Sequence, residues 1–372
     1  MLRIVMFGHK RIPSREGGIE VVVEELASRM VKKGHNVLCI NRKGHHVSGA
    51  EFDNSNLNTY KGIELCSAIT FDMKGLAAMT SSFFAALKSS FGKFDVVHIH
   101  AEGPAAMSFI PRFFGKKVIV TVHGLDWART KWGRFATNYI KFGEKQAVRN
   151  ADEIIVLSRA VQKYFKDTYN RATVYIPNGI TKPKLASASK ISEKWNLKKD
   201  SYVLYLGRIV PEKGIHYLIK AWESLSTDKT LVIAGGSSDS DSYFQELKKE
   251  TQHLTNVFFT GFVQGRLLEE LYSNAYLYVL PSDLEGMPLS LLEAMSYGNC
   301  CLVSDIPECK EVVEDHALYF SHGNVNDLND KLQCLLNSPE EVYSYKDKAR
   351  EYITLKYNWD DVVEKTLDLY RK

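Results

Sequence analysis

Short apolar runs alternate with longer amphipathic stretches along most of the chain. In the first half, five β-branched runs are predicted to be buried strands: LRIVMFG, NVLCIN, DVVHIH, KVIVTVHG and EIIVLS. Between the first two, GIEVVVEELASRMVKKG has the spacing of an amphipathic helix. Apolar strands that alternate with helices are typical of a parallel sheet covered by helices.

The second half repeats this plan. Its predicted strands are YVLYLG, TLVIAGG, NVFFTGF, AYLYVLP and CCLVSD, and its predicted helices are HYLIKAWESL, YFQELKKETQ, RLLEELYSN and LSLLEAMSYG. A length of 372 residues also fits two domains, at about 150 residues per domain. We therefore predict an α/β protein with two Rossmann-like, doubly wound domains.

The segment from Pro177 to Lys190 combines Pro, Gly, Ser and Lys and has no helix or strand period, so it is interpreted as a linker. The expected limits are 1–180 for the N-terminal domain and 181–356 for the C-terminal domain. The last residues, 357–372, are expected to form a helix that packs back on the N-terminal domain.

Composition narrows the class of protein. The chain is 45% hydrophobic and 25% charged, no apolar run approaches the roughly 18 residues of a membrane span, and the N-terminus does not resemble a signal peptide. A cytoplasmic protein is expected. The six cysteines contain no C-x-x-C pair, so reduced core thiols are expected and a zinc site is not. They are Cys39, Cys66, Cys300, Cys301, Cys309 and Cys334.

The net charge of +4 hides an asymmetry between the halves. Residues 1–180 contain 26 Lys and Arg against 15 Asp and Glu, a net +11, and residues 181–372 contain 22 against 29, a net −7. A basic half favours an anionic partner such as a phosphorylated substrate or acidic lipid, although a solvated basic surface explains it equally well. No nucleic-acid-binding motif is present, so nucleic acid is not expected as a partner.

Two loops at strand ends in the first half carry candidate chemistry, because open α/β sheets bind ligands at the carboxyl ends of strands. In IPSREGGIE, Gly17 and Gly18 precede a helix, whose N-terminus favours an anion; turn glycines without a ligand explain them equally well. In VHGLDW, His123 and Asp126 can hydrogen-bond a polar substrate or stabilise the loop.

The second half contains a sharper arrangement. In YVLYLGRIVPEKG, Arg208 follows a strand, and Lys213 precedes a helix. Two cations beside a helix start suit a diphosphate. In LEGMPLSLLEAM, Glu285 lies in a loop and Pro288 is expected in the first turn of a helix, with Glu293 two turns into it. Dipole complementation explains Glu285 but explains Glu293 poorly.

These motifs occur together and in order: EGG, HGLDW, IPNGI, GR-x-x-x-EKG and two glutamates separated by seven residues. With them the chain resembles the retaining GT-B glycosyltransferases of the glycosyl transferases group 1 family (glycosyltransferase family 4-like). It looks most similar to bacterial enzymes that build capsular, exopolysaccharide or cell-wall glycans, including rhamnosyltransferases. The resemblance implies that the two domains face each other across a cleft, with the acceptor on the N-terminal domain and the nucleotide sugar on the C-terminal domain.

The resemblance also implies roles for single residues. Arg208 and Lys213 correspond to the cations on the donor diphosphate, Glu285 to the acid on the sugar hydroxyls, Glu293 to the acid on the ribose, and His123 to the residue near the reacting end of the sugar. The other implied donor contacts are Gly17, Gly18, Gly207, Val263, Gly286, Met287, Pro288 and Leu289. Asp126, Arg129 and Lys131 are candidate acceptor contacts.

The expected reaction needs no metal and no cofactor, because the two cations and a helix start face the departing diphosphate. The acceptor is expected to be a glycan or a lipid-linked hydroxyl in surface polysaccharide synthesis, and the basic half is expected to favour the anionic inner face of the membrane. A nucleotide-sugar 2-epimerase of the same fold and a non-catalytic nucleotide-sugar-binding subunit are the alternatives. UDP-, GDP- and dTDP-linked donors fit equally well.

Overall fold

The computed structural model describes residues 1–43, 57–71, 73, 76–129, 133–237 and 241–372. This part of the chain divides into two compact units. The N-terminal unit contains Met1–Gly179 and Trp359–Lys372, and the C-terminal unit contains Ile180–Asn358. Of the helices within these ranges, none has both the length and the hydropathy that crossing a membrane requires.

The N-terminal unit is an α/β layer structure with eight described strands. The strands are β1 (Arg3–Phe7), β2 (Asn36–Arg42), β3 (Thr59–Tyr60), β4 (Ile63–Ala68), β5 (Val96–His100), β6 (Lys117–Val122), β7 (Glu153–Val156) and β8 (Val174–Tyr175). The helices are α1 (Gly18–Lys32), α2 (Leu76–Phe91), α3 (Glu102–Ala105), α4 (Phe109–Phe113), α5 (Arg134–Asn150), α6 (Arg159–Tyr169) and, from the end of the chain, α15 (Trp359–Arg371).

The strands of the N-terminal unit form one sheet in the order β3-β4-β2-β1-β5-β6-β7-β8. Neighbouring strands are parallel, except that β3 runs antiparallel to β4. The five runs predicted from the first half are β1, β2, β5, β6 and β7. Their side chains are buried beneath the helices, with Val5, Phe7, Ile99, Val120 and Ile154 in one apolar core.

Helix α15 completes the N-terminal unit. Its Tyr370 hydroxyl lies 2.5 Å from Nδ1 of His98 on β5, and Glu364 pairs with Lys33 at the end of α1 at 2.6 Å. Val363 and Leu367 are fully buried. The last helix is therefore part of the core of this unit and does not only cover its surface.

The C-terminal unit has six described strands, all parallel, in the order β11-β10-β9-β12-β13-β14. The strands are β9 (Tyr202–Leu206), β10 (Thr230–Ala234), β11 (Val257–Gly261), β12 (Leu277–Leu280), β13 (Cys301–Ser304) and β14 (Leu318–Phe320). Its helices are α7 (Lys190–Trp195), α8 (Ile215–Glu223), α9 (Asp241–Glu250), α10 (Arg266–Asn274), α11 (Leu289–Ser296), α12 (Pro307–Val313), α13 (Val325–Asn337) and α14 (Pro339–Lys356). All the strands and helices predicted from this half are present.

The cysteines were expected to be reduced thiols in the core, and the structure places only some of them there. All six cysteines are free, and Cys39, Cys300, Cys301 and Cys309 are buried. Cys334, however, is exposed, because it lies on the outer face of α13, whose inner face is made by Leu328, Leu332 and Leu335.

Candidate functional site

The cation at the start of α8 is positioned by a tight turn. After β9, a 3-10 turn at Pro211–Lys213 leads into Gly214, which has φ +63° and caps α8. A Cβ at Gly214 would lie 1.9 Å from the carbonyl oxygen of Pro281, so only glycine fits this approach to the end of β12. The turn therefore brings Lys213 against the loop that follows β12.

Lys213 and Glu285 form an ion pair in this loop. Nζ of Lys213 donates to Oε1 of Glu285 at 2.5 Å, and the buried Ser282 hydroxyl donates to the same oxygen at 2.7 Å. The two charged side chains are only 12% and 6% exposed. Removing one partner of such a pair leaves a buried charge uncompensated, at a cost of about 3 to 5 kcal/mol.

The end of β9 is tied to the start of α11. The Tyr278 hydroxyl lies 3.2 Å from the carbonyl oxygen of Leu206 and 2.9 Å from Oγ of Ser290. Gly207 and Arg208 follow Leu206, and the Tyr205 hydroxyl donates to the carbonyl of Arg208 at 2.8 Å. The backbone that carries Arg208 is therefore fixed beside the helix start that follows the Glu285 loop.

Helix α11 begins later than the sequence suggested. Pro288, expected in the first turn, is the N-cap with an extended backbone (φ −75°, ψ 99°), and the helix starts at Leu289. Gly286 and Met287 consequently lie in the loop. Glu293 is the fifth residue of α11, one turn inside it and not two. The delayed start arises because the backbone of Pro288 is extended and not helical.

Glu293 accepts a hydrogen bond from the Tyr272 hydroxyl of α10 at 3.2 Å. This contact orients its carboxylate on the half-buried side of α11. Val263, two residues after β11, is buried. Val263 therefore lies beyond the carboxyl end of a strand, where open α/β sheets bind ligands.

Three histidines follow one another from the middle of β5 to the carboxyl edge of the N-terminal sheet. Nδ1 of His100 lies 3.0 Å from Nε2 of His123, and the His98 and His100 rings lie 4.1 Å apart between centroids. Nε2 of His98 lies 2.7 Å from the Thr121 hydroxyl. Burial lowers the pKa of His98 to about 3 and that of His123 to about 4, so both are neutral hydrogen-bonding groups near pH 7.

The HGLDW loop rests on two buried glutamates. The backbone N–H of Asp126 donates to Oε2 of Glu102 at 2.8 Å. Glu144 accepts from Nε1 of Trp127 at 3.2 Å, from the Tyr164 hydroxyl at 2.9 Å and from the Tyr169 hydroxyl. Both glutamates are fully buried.

The two glutamates also interact with each other. Burial, together with the nearby Asp126 and Glu144 carboxylates, raises the pKa of Glu102 well above its usual value. A protonated Glu102 can donate to Glu144, so the pair need carry only one negative charge. Gly143 allows this approach, since a Cβ there would lie 1.9 Å from the carbonyl of Glu102.

Two of the acceptor candidates, Asp126 and Arg129, lie in the loop that Glu102 holds. Arg129 and Asp126 form an ion pair at 2.8 Å across a 3-10 turn at Asp126–Ala128. Lys131 lies outside the described residues. Burial is the larger effect on His123 and lowers its pKa, whereas the negative charge of the nearby Asp126 carboxylate raises it. The structure thus brings His123 and Asp126 into one neighbourhood.

The glycine pair of the first domain begins α1, with Gly17 as N-cap and Gly18 as the first helical residue. The Glu20 side chain folds back over this start: its Oε1 accepts from the backbone N–H of Lys10 at 2.8 Å, and its Oε2 lies 2.5 Å from where a Gly17 Cβ would be. The helix start is therefore accessible at the exposed Gly18 but already has one carboxylate beside it.

Sequence reasoning missed His98, His100, Glu102 and Glu144. A signal for the histidines exists: in DVVHIH, two histidines at alternate positions must face the same side of an otherwise apolar strand. No comparable signal exists for Glu144, which lies in α5 far along the chain from Glu102. Among the described residues no group of three or more His, Cys, Asp or Glu side chains could hold a metal ion.

Two family models match consecutive parts of the chain. Residues 16–182 match Glycosyltransferase Family 4, and residues 187–352 match Glycosyl transferases group 1. Together they include the C-terminal sheet and all strands of the N-terminal sheet except β1, which precedes residue 16.

Relatives and solved structures agree with these matches. Alpha-maltose-1-phosphate synthase of Mycolicibacterium smegmatis is 25% identical over 100% of this chain and 99% of its own length. The O-antigen chain mannosyltransferase RfbU of Salmonella typhimurium is 27% identical over 58% of this chain and 59% of its own.

Among solved structures, sucrose-phosphate synthase from Thermosynechococcus elongatus superposes with a TM-score of 0.86 at 21% identity, covering 100% of this chain and 98% of that one. Anabaena HepE in complex with UDP and glucose gives 0.83 at 17%, covering 99% of both chains. Since the fold, both family models and the order of the motifs agree along nearly the whole length, the chain belongs to the GT-B glycosyltransferases of the group 1 and family 4 type.

Proposed function

We propose that this glycosyltransferase moves a sugar from a nucleoside diphosphate to a hydroxyl of a glycan or lipid-linked acceptor, with retention of the anomeric configuration and without a metal. The observation that carries this proposal is the pairing of Lys213 with Glu285 at 2.5 Å beside the start of α11. HepE was solved with UDP and glucose, which supports a nucleotide-sugar donor.

The departure of the diphosphate depends on how its negative charge is stabilised. As the glycosidic bond breaks, negative charge grows on the diphosphate, and Arg208, Lys213 and the start of α11 supply positive charge to stabilise it. These groups can do the work that a divalent cation does elsewhere. Metal independence is proposed on that ground.

Glu285 is assigned to the hydroxyls of the sugar. Its Oε1 is held by Lys213 and Ser282, so Oε2 is the oxygen that we assign to a donor hydroxyl. A carboxylate fixed in this way orients the sugar and is a poor nucleophile, because its charge is already partly neutralised. We therefore propose attack by the acceptor on the face from which the diphosphate leaves, with the departing phosphate accepting the proton.

On the N-terminal unit, we propose that His123 and Asp126 contact the reacting end of the sugar and the acceptor. His123 is neutral near pH 7, so it can donate or accept a hydrogen bond without adding charge. The role in surface polysaccharide synthesis is supported by the similarity to an O-antigen mannosyltransferase. Attraction of the net +11 half to an anionic membrane belongs to the same proposal.

The proposal is tested in two stages. Calorimetry with UDP-, GDP- and dTDP-linked sugars first identifies the donor, because a ligand that binds the folded state stabilises it. Proton NMR of the product then reports the anomeric configuration. We expect the configuration of the donor and full activity in EDTA. An inverted product would exclude retention, and activity restored only by added Mg²⁺ or Mn²⁺ would exclude metal independence. Isomerised donor without acceptor would indicate an epimerase instead.

A further inference from the structure

Helix α2 differs from most surface helices because it buries small residues against the sheet and exposes large apolar ones. Its small residues face the sheet and are buried: Ser81, Ser82, Ala85, Ala86, Ser89 and Ser90. The buried serines are satisfied within the helix. For example, Ser89 and Ser90 each donate to a carbonyl four residues earlier at 2.7 Å. Of the large apolar side chains, Phe84 and Leu87 pack partly against the core, whereas Leu76, Phe83 and Phe91 are exposed on the outer face.

The outer face of α2 is apolar and exposed. Leu76, Phe83 and Phe91 follow one another along it, and two residues at the end of α4 extend it, with the Phe114 ring 4.8 Å from that of Phe91 and 5.5 Å from that of Phe113. Phe91 is 72% exposed and Phe113 is 85% exposed. We call this surface, made of Leu76, Phe83, Phe91, Phe113 and Phe114, the α2 face. Contiguous exposed rings mark an interaction surface.

The charged residues around the α2 face are mostly cations, and the exposed Asp95 beside them is paired with Arg3 at 3.2 Å. Residues 76–94 contain Lys88 and Lys93 and no acid, and residues 103–117 contain one arginine and two lysines and no acid. Lys88 and Lys93 are exposed. Arg112 is paired with Asp152, so the two lysines beside the rings carry the net charge. A partner of this face must therefore offer an apolar surface to the aromatic rings and negative charge to the lysines.

The α2 face extends from one edge of the sheet towards the other. Helix α2 follows β4, so it starts near the carboxyl edge of the sheet and returns to the amino edge before β5. At the carboxyl edge Ile69, Phe71 and Met73 are also exposed, and the Phe71 N–H donates to the Thr80 hydroxyl at 3.1 Å, which ties this segment to α2. A flat partner on the face would lie beside the edge that carries His123.

We propose that the α2 face binds a bilayer that contains anionic lipid, with its phenyl rings among the headgroups and acyl boundary and Lys88 and Lys93 at lipid phosphates. Aromatic and leucine side chains beside cations are the composition of interfacial membrane helices. A second copy of the chain fits less well, because Lys88 and Lys93 of both copies would meet without an acid between them. This inference rests on the proposed lipid-linked acceptor and names the surface that reaches it.

The test is co-sedimentation of the full chain with vesicles of phosphatidylcholine alone or of phosphatidylcholine and phosphatidylglycerol in equal parts. We expect binding to the anionic vesicles. The double variant Phe91→Ser with Phe113→Ser should bind about tenfold more weakly, and Lys88→Glu with Lys93→Glu about tenfold to a hundredfold more weakly. Controls are Leu355→Ser, 73% exposed in the C-terminal unit, and Lys163→Glu with Lys166→Glu on the exposed side of α6.

Equal binding to both vesicles, or α2-face variants that bind as the controls do, would overturn the inference. So would sedimentation velocity showing a dimer that the Phe91 and Phe113 variant abolishes, because the face would then join two copies. Calorimetry with the nucleotide sugar, without vesicles, keeps the two proposals apart. The α2-face variants should retain wild-type donor affinity, whereas absence of donor binding by the unmodified chain would refute the proposed function and leave the vesicle result standing.

Discussion

The two units carry their polar groups at the carboxyl edge of a parallel sheet, but burial has opposite consequences for charge. In the C-terminal unit, Lys213 and Glu285 are buried together as cation and anion. In the N-terminal unit, burial favours neutral forms: the pKa values of His98 and His123 fall to about 3 and about 4, and that of Glu102 rises.

This contrast fits the ligands that we assign to the units. A departing diphosphate gains charge, so fixed cations near it lower the barrier. An acceptor hydroxyl is neutral, and neutral hydrogen-bonding groups bind it without the cost of desolvating an ion. On this assignment, the buried ion pair serves the donor, and the buried neutral groups position the HGLDW loop.

The largest expected effect tests the charged side of this contrast. Lys213→Ala should lower turnover about 100-fold to 1000-fold, because one stabilising cation of the leaving group is lost. Steady-state kinetics with saturating donor measure this. Lys310→Ala is the matched control, since Lys310 is an exposed lysine of the same unit that pairs with Asp305 at 3.1 Å. Turnover of Lys213→Ala within a few-fold of the control would contradict the assignment.

Stability separates the catalytic from the structural effect of this lysine. Lys213→Ala leaves Glu285 unpaired and should also lower the free energy of unfolding. The double variant Lys213→Met with Glu285→Gln removes both charges and should recover most of that stability, while turnover stays low. Recovery of turnover together with stability would show that the pair is only structural.

The next effect tests the neutral side. Glu144→Ala removes the acceptor of Trp127, Tyr164 and Tyr169 and should lower the free energy of unfolding of the N-terminal unit by about 3 kcal/mol. Chemical denaturation measures this. Tyr164→Phe, which removes one of the three donors, should cost about 1 kcal/mol. An equal cost for both variants would show that Glu144 does not act as a shared acceptor.

A smaller effect, on ligand affinity, distinguishes the roles of Glu285 and Glu293. Glu293→Gln should weaken binding of the nucleoside diphosphate and of the complete nucleotide sugar alike, by about tenfold. Glu285→Gln should weaken binding of the nucleotide sugar only. Calorimetry with both ligands measures the difference, and Tyr272→Phe controls for the hydrogen bond that orients Glu293. The reverse pattern would exchange their roles.

The last test of the neutral side is a pH dependence of stability. Unfolded histidines bind protons below a pKa of about 6.5, whereas folded His98 and His123 do so only near 3 and 4. Between about pH 4 and pH 6.5 the unfolded state therefore binds more protons than the folded state. The contribution of these histidines to the free energy of unfolding should be fully present above about pH 6.5. It should fall towards pH 4 by about 1 kcal/mol per pH unit for each histidine. Denaturation at several pH values measures the slope.

Two substitutions check the source of this slope. His98→Gln should make it shallower, because one buried titrating group is removed. His253→Asn should leave it unchanged, since His253 is largely exposed. Glu102 opposes the trend at higher pH, because its raised pKa gives stability that is lost as pH rises through the folded value. An unchanged slope in His98→Gln would assign the dependence to other groups.

The sequence by itself determined the architecture and the donor-side motifs of this protein. Apolar runs predicted the central strands, although β3, β4, β8 and β14 towards the sheet edges were not predicted. Arg208, Lys213, Glu285 and Glu293 stand in short motifs whose geometry depends on a few neighbouring residues. Even there, the placement of Pro288 in the first turn of α11 was wrong, since whether Pro288 caps a helix or enters it depends on its backbone angles.

Only the tertiary structure decided which side chains meet. His98 contacts Tyr370 across 272 positions of sequence, and Glu102 meets Glu144 because Gly143 lets two helices approach. The outward rings of α2 likewise follow from which face the sheet buries, and a helical period alone does not say whether large or small residues face inward. Burial and long-range contact set charge state and exposure, and neither is a property of a local segment.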